Sequence, residues 1–198
     1  MLSSIHPFGE RSRSNSFGQT AAAHIVGSAL GGTALGALGG LVGLLITLTI
    51  DPTTTIRTVI VLAATITALA LEATQRERLL PSRTRQVDEN WIQTYRGWVY
   101  GGGWGAEHGF GISTIITTAL VHLLVVTMML VGSFPIAILL GTTFGLVRGA
   151  TVLAASGVDS PERLRSFHQR LDAMRQRSQQ GVVASLILAT ALGLGGVL

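Results

Sequence analysis

Five apolar stretches, separated by short polar turns or charged loops, dominate the hydrophobic pattern of the chain. They cover residues 21–50, 54–73, 107–130, 135–155 and 181–198. A transmembrane helix needs about 20 predominantly apolar residues, and each stretch reaches or approaches that length. The pattern therefore predicts an all-α, polytopic transmembrane helical bundle of about five spans. Spans one and two would form a first hairpin (21–73), and spans three and four a second hairpin (106–156).

The remaining residues divide into an N-terminal polar segment (1–20), a basic and aromatic loop (74–105) and a charged amphipathic segment (157–180). Tryptophan and tyrosine occur only between residues 91 and 104, as in the aromatic belt at a membrane interface. We expect one interfacial helix over 87–100 with a glycine-rich re-entry after it. Leucine, phenylalanine and methionine at helical spacing predict a second interfacial helix over 159–179.

Composition favours the bilayer as the environment of these stretches. Charged residues make up 12% of the chain and its mean hydropathy is +0.51, whereas a soluble domain usually carries about 25% charged residues. The chain has no cysteine, which excludes disulfides, thiol redox chemistry and thiolate metal sites. Every basic residue is arginine, a usage typical of a GC-rich bacterial genome such as that of an actinobacterium.

Arginine placement predicts the orientation. If the chain has five spans, 12 of its 14 basic residues fall on one side of the membrane, a strong positive-inside signal. The prediction is a multi-pass protein of the inner (cytoplasmic) membrane with a cytoplasmic N-terminus. The arginines favour contact with anionic lipids over nucleic acid, and other membrane subunits or further copies of the chain are the expected protein partners.

Glycines recur at small-xxx-small spacing in the first span, for example at Gly27, Gly31 and Gly36, and again in span four at Gly141 and Gly145. Such spacing lets helix backbones approach closely, which matters in lipid because no hydrophobic force drives helices together there. The pattern predicts tight helix packing. A hinge, or a substrate path lined by bare backbone, is the functional alternative.

Ionisable side chains within the spans are the candidate functional residues. Glu107 and His108 lie at the start of span three, and Arg148 lies in the last third of span four. An ionisable group at membrane depth is costly and should face protein or water, so we expect Glu107 to pair with Arg148. The structural interpretation is an ion pair that closes a helix hairpin, and the functional one is a proton or substrate site.

A shift of 84 residues overlays His24 on His108, which is consistent with two parallel repeats and places both imidazoles at one depth. A haem or metal between them is a minor alternative, because metal sites usually need three or four ligands; otherwise we expect no cofactor. Ser113, Thr114 and Thr117 are candidates for a polar lining on the His108 side. Hydrogen bonds to their own helix backbone are the alternative role for these hydroxyls.

Three strings resemble a family of uncharacterised bacterial membrane proteins: Arg96-Gly-Trp-Val-Tyr-Gly, the Gly-x-x-x-Gly-x-Gly start of span three, and Phe144-Gly-Leu-Val-Arg-Gly149. More distantly, the glycine-rich starts of both halves resemble the membrane domains of CcdA/DsbD-type thiol-electron transporters. This resemblance implies a transporter-like architecture. Members of that group carry a cysteine near the start of the first helix of each half, where this chain has His24 and His108, so the thiol activity does not carry over.

Two functional classes follow from these features. The first is a small transporter or permease-like protein with a polar site at the cytoplasmic mouth of span three. The second is a non-catalytic membrane subunit or assembly factor, with a His-ligated haem or metal subunit as a minor third class. The sequence has no nucleophile elbow and no phosphate loop, so we expect no enzymatic activity.

Overall fold

The computed structural model describes residues 4–76, 79–81, 90–111 and 118–197, and within these residues all regular structure is helical. The helices are α1 (Pro7–Ser12), α2 (Phe17–Thr49), α3 (Thr54–Ala73), α4 (Trp91–Thr94), α5 (Gly97–Phe110), α6 (Ala119–Leu130), α7 (Phe134–Ala150) and α8 (Pro161–Val197). A 3-10 turn over Thr151–Ala155 continues α7. The predicted all-α class is confirmed.

Three helices in the described part of the chain are long and apolar enough to cross a membrane. They are Phe17–Thr49, Thr54–Ala73 and Phe134–Ala155. They coincide with predicted spans one, two and four, because an uninterrupted apolar run of about 20 residues is what the bilayer requires of a helix. Five spans are not confirmed.

Helix α2 lies at the centre of the bundle. Helix α5 runs parallel to its first half, with Gly105 against His24, and α6 runs beside its second half, with Met128 against Gly39. Helix α7 packs on α2 in the opposite direction. Helix α3 packs mainly against α6 and α8, so the predicted first hairpin (21–73) has a short turn but its two helices are not close partners.

Close approach of α2 to α5 and α7 depends on glycines that leave no room for a side chain. A Cβ at Gly109 or Gly145 would overlap the carbonyl oxygen of Ser28, and one at Gly141 would overlap that of Gly32. Backbone-to-backbone contact of this kind is how small residues hold helices together in lipid. The tight packing predicted for spans one and four is confirmed, and it extends to α5.

The third apolar stretch is not one helix, and the prediction of a continuous span over 107–130 is wrong. Helix α5 ends before Gly111, which has φ +71°, a backbone conformation open to glycine and strained for other residues. Helix α6 begins only at Ala119, and residues 112–117 lie outside the described part. Glu107 and His108 are therefore near the end of α5 and not at the start of a span.

The aromatic, glycine-rich segment also differs from the prediction of an interfacial helix over 87–100. Residues 82–89 lie outside the described part, α4 is only four residues long, and α5 contains the whole glycine-rich run 101–105. Glycine in a helix interior costs about 1 kcal/mol relative to alanine. Contact with the backbone of α2 offsets that cost. The helix propensities of the residues in α5 could not reveal this contact.

The charged segment and the last apolar stretch form a single helix, α8, of 37 residues, about 55 Å long. Ser160 caps its start by accepting the amide hydrogen of Arg163 through Oγ, and Pro161 occupies the first turn, where proline is favoured. Further along, Leu186 packs with Ala68 of α3 and with α6. The helix is therefore continuous across the predicted boundary between residues 180 and 181.

Candidate functional site

Three ionisable side chains meet where α2, α5 and α7 come together. The ring centroids of His24 and His108 are 5.7 Å apart, and Nη2 of Arg148 lies 3.3 Å from Nδ1 of His108. Each residue comes from a different helix. We call these three residues the His–Arg cluster, and all three were predicted as site candidates from the sequence.

The hydrogen-bonding capacity of the His–Arg cluster is only partly used. A guanidinium can only donate, so its contact makes Nδ1 of His108 the acceptor and leaves the ring proton on Nε2. His24 is 4% exposed, and its Nδ1 has no hydrogen-bond partner within the described residues. Ser28, one turn further along α2, is fully buried and its Oγ is likewise unpartnered there. Buried polar atoms without partners are uncommon in proteins and mark this junction.

The predicted Glu107–Arg148 ion pair is wrong. Ion pairs within the described residues join Glu10 with Arg13 and Asp159 with Arg163. The guanidinium carbon of Arg148 instead lies 5.2 Å from the centroid of the Phe144 ring, with its donor nitrogen toward His108. Neighbouring residues on an α-helix point about 100° apart, so when His108 faces α7, Glu107 is on another side of α5.

The end of α5 and the start of α6 each face a side chain whose charge is opposite to the partial charge of that helix end. At the end of α5, where exposed carbonyls carry a partial negative charge, a Cβ at Gly111 would be 3.2 Å from Nη1 of Arg148. At the start of α6, Oε1 of Glu72 accepts hydrogen bonds from the amide of Ala119 and the hydroxyl of Thr118, each at 2.6 Å. The carboxylate thus caps the positive end of α6.

Glu72 is a residue that the sequence reasoning missed. It lies in the last turn of α3 and is 4% exposed. A signal was available, because it is the sole acidic residue within 54–73 and an acid in an apolar stretch marks a functional candidate. Its position at the end of that stretch made it look like part of the following charged loop.

A second missed carboxylate belongs to Glu10 of α1, which is fully buried. The hydroxyl of Tyr100 lies 2.5 and 2.6 Å from its two oxygens. Thr20 donates its hydroxyl hydrogen at 2.8 Å and Arg13 donates from Nη2 at 2.6 Å. We call these four residues the Glu10 clip, since they fasten α1 to α2 and α5. The sequence offered no signal for it within the polar segment 1–20.

Two further contacts hold α1 in place. Nδ1 of His6 accepts the amide hydrogen of Gly9 at 3.1 Å, and the amide of Phe8 donates to the carbonyl of Val158 at 3.0 Å. Burial, followed by the nearby charge of Arg13, lowers the pKa of His6 from its ordinary 6.5. The neutral ring that results keeps Nδ1 available as an acceptor.

Ser113, Thr114 and Thr117 fall in 112–117, outside the described residues, and their role as a polar lining stays a prediction. Within the described residues no group of three or more His, Cys, Asp or Glu side chains is placed to hold a metal ion. His24 and His108 are in ring contact, but within the described residues no third His, Cys, Asp or Glu side chain joins them as a ligand.

Comparison with known proteins assigns no family to the chain. No protein family, no curated protein and no solved structure matches the chain. The resemblances drawn from sequence strings stay predictions, and the chemistry of the described residues has to carry the functional inference.

Proposed function

We propose that the chain is a small transporter or permease-like protein whose site lies at the interruption between α5 and α6. Interrupted helices commonly form the substrate and ion sites of secondary transporters, because the half-helix ends present partial charges there. Arg148 at the end of α5 and Glu72 at the start of α6 fit that arrangement. The placement of these two oppositely charged side chains at the two helix ends is the observation that carries the proposal.

The depth of the interruption supports the proposal. The contact of Gly97 with Thr20 and that of Gly43 with Met129 are separated by about 35 Å along α2, close to the roughly 30 Å of a bilayer's hydrocarbon core. Gly109 contacts Ser28, about 12 Å from the Thr20 end. Helix α5 ends directly after this contact, at Phe110, and we place that helix end within the apolar thickness, where its backbone carbonyls need partners in protein or in a cavity.

We place the chain in the inner membrane of a bacterium, with the N-terminus and the charged part of α8 in the cytoplasm. The absence of native cysteine makes single-cysteine labelling a clean test. Thr55→Cys, at an exposed position in the first turn of α3, should react with a membrane-impermeant maleimide in intact cells. Ser178→Cys, on the exposed part of α8, should react only after permeabilisation. The reverse pattern would invert the orientation, and labelling of both variants from one side would contradict the placement.

Transport is tested with the purified full-length chain in proteoliposomes that contain anionic lipid, by recording charge movement after concentration jumps of acetate, phosphate, amino acids and sugars. We expect a saturable current for at least one solute, reduced at least tenfold in Arg148→Gln and in Glu72→Ala. Arg163→Gln is the matched control, because this arginine pairs with Asp159 at an exposed position. Silence with every solute, or full current in both site variants, would contradict the proposal.

The second candidate, a non-catalytic membrane subunit or assembly factor, is favoured by the first part of α8. There Met174 is 59% exposed and Leu171 is 36% exposed among several arginines, a surface that fits a partner or a lipid headgroup layer. This candidate predicts that other membrane proteins co-purify with the chain and that Arg148→Gln leaves the assembly intact. A Soret band in the purified protein would support the minor haem alternative.

A further inference from the structure

Arg148 is a partly buried cation, and within the described residues it forms no ion pair. Its contacts are the His108 ring, the Phe144 ring and the neighbourhood of Gly111. The carbonyls at the end of α5 contribute only about half an elementary charge. Within the described residues no carboxylate pairs with it, whereas the buried carboxylate of Glu72 is bonded to α6. A guanidinium taken out of water favours a counter-ion.

Further polar atoms lie along the same junction of α2, α5 and α7. The guanidinium carries five N–H groups in a planar fork, and its contact with His108 engages Nη2. That contact places the His108 proton on Nε2, where it is a donor. His24 lies against His108, and the fully buried Ser28 follows His24 by one helical turn. Their Nδ1 and Oγ atoms are the unpartnered atoms noted above.

The charge and the donor geometry together define the ligand chemistry. The charge of Arg148, which no described carboxylate neutralises, disfavours metal ions and organic cations at this place. A planar fork of N–H groups matches the oxygen spacing of carboxylates and phosphates, which it binds through two parallel hydrogen bonds. The Phe144 ring covers the guanidinium and limits its access to water, which strengthens charge–charge attraction to a bound anion.

We propose that the His–Arg cluster binds a small oxyanion, a carboxylate or a phosphate, through Arg148 with the Nε2–H of His108 as an additional donor. As a statement of substrate class, this inference rests on the proposed transport function. As a statement of binding, it is tested without any flux measurement. It supplies a counter-ion to a guanidinium that no carboxylate pairs with within the described residues.

Binding is measured on the full-length chain in detergent, by thermal shift during titration with sodium acetate or sodium phosphate against sodium chloride at constant ionic strength. For the wild type we expect a saturable rise of about 5 °C in the unfolding midpoint with one of the two oxyanions. Chloride should give no saturable rise. Comparison of the acetate and phosphate series identifies which oxyanion fits.

Variants test whether the shift in the unfolding midpoint comes from binding at the His–Arg cluster. Arg148→Gln should abolish it, and Arg148→Lys should weaken binding at least tenfold because lysine keeps the charge but loses the planar fork. If Arg148→Gln does not fold, Arg148→Lys and His108→Gln decide, and His108→Gln has an expected affinity loss of about tenfold, the change that 1.4 kcal/mol produces. Arg163→Gln, remote from the cluster, should bind as the wild type does.

The outcomes separate this inference from the transport proposal. The absence of a saturable shift with either oxyanion, or wild-type shifts in both Arg148→Lys and His108→Gln, would overturn the anion site. Anion binding without flux of any solute in proteoliposomes would keep the site and refute transport. Flux of a neutral or cationic solute by a chain that binds neither oxyanion would keep transport and refute the anion as its substrate class.

Discussion

Gly145→Ala should lower the unfolding midpoint of the detergent-solubilised chain by about 5 °C or more. The added Cβ would overlap the carbonyl oxygen of Ser28 and lie 3.1 Å from the Cα of Gly32, so α7 must move away from α2. Overpacking of a tight interface typically costs about 1–3 kcal/mol, and each 1 kcal/mol shifts the midpoint by about 2–4 °C in a chain of this size. Gly109→Ala should act similarly through α5.

Gly181→Ala is the matched control. Nothing lies within 4 Å of a Cβ at this helical position, and alanine is the better helix former by about 1 kcal/mol, so the midpoint should stay unchanged or rise. Because Gly109 and Gly145 both contact Ser28, their double variant should lose less than the sum of the single losses. A wild-type midpoint for Gly145→Ala would contradict the described contact between α7 and α2.

The three confirmed membrane-length helices were predictable because their lengths depend on the mean hydropathy of a run of residues. Span two was placed at 54–73, and α3 covers Thr54–Ala73. A run of apolar residues bounded by polar turns predicts where a membrane helix begins and ends, and this prediction does not depend on what the helix packs against. Spans one and four were located with similar accuracy for the same reason.

The interruption of the third stretch was not predictable in this way. Residues on both sides of Gly111 are apolar, and hydropathy carries no information about which glycine adopts a positive φ. The start of α6 is fixed by Glu72, a side chain from a distant part of the chain. The helical state of α5 likewise depends on contact with α2, which overrides the poor helix propensity of its glycines.

The three residues of the His–Arg cluster were predictable from the sequence, whereas the role of Glu72 and the partner of Arg148 were not. Alignment of His24 with His108 by a shift of 84 residues placed both imidazoles together, and their ring contact agrees with that. The partner of Arg148 depends on the rotation of α5 about its axis, which decides whether Glu107 or His108 faces α7. Periodicity of hydrophobic positions is weak in so glycine-rich a helix, so the sequence did not fix that rotation.

Glu10→Ala should be among the most destabilising single substitutions in the chain, with an expected loss of about 3 kcal/mol. The carboxylate is fully buried, and its removal leaves the hydroxyls of Tyr100 and Thr20 and the charge of Arg13 without their acceptor. Loss of one member of a buried ion pair typically costs about 3–5 kcal/mol. We expect the lower end because the Arg13 side chain is 27% exposed and keeps some contact with water. The measurement is the unfolding midpoint in detergent.

Limited proteolysis gives a second measurement of the same change. Release of α1 should unfold the backbone at Arg11 and Arg13 and so admit trypsin, so Glu10→Ala should be cleaved near its N-terminus under conditions that leave the wild type intact there. Glu10→Gln keeps the shape and one acceptor and should fall between the two, while Glu162→Ala, at an exposed position in the first turn of α8, should match the wild type. Equal midpoints and equal cleavage for Glu10→Ala and Glu162→Ala would show that the Glu10 clip does not hold α1 to the bundle.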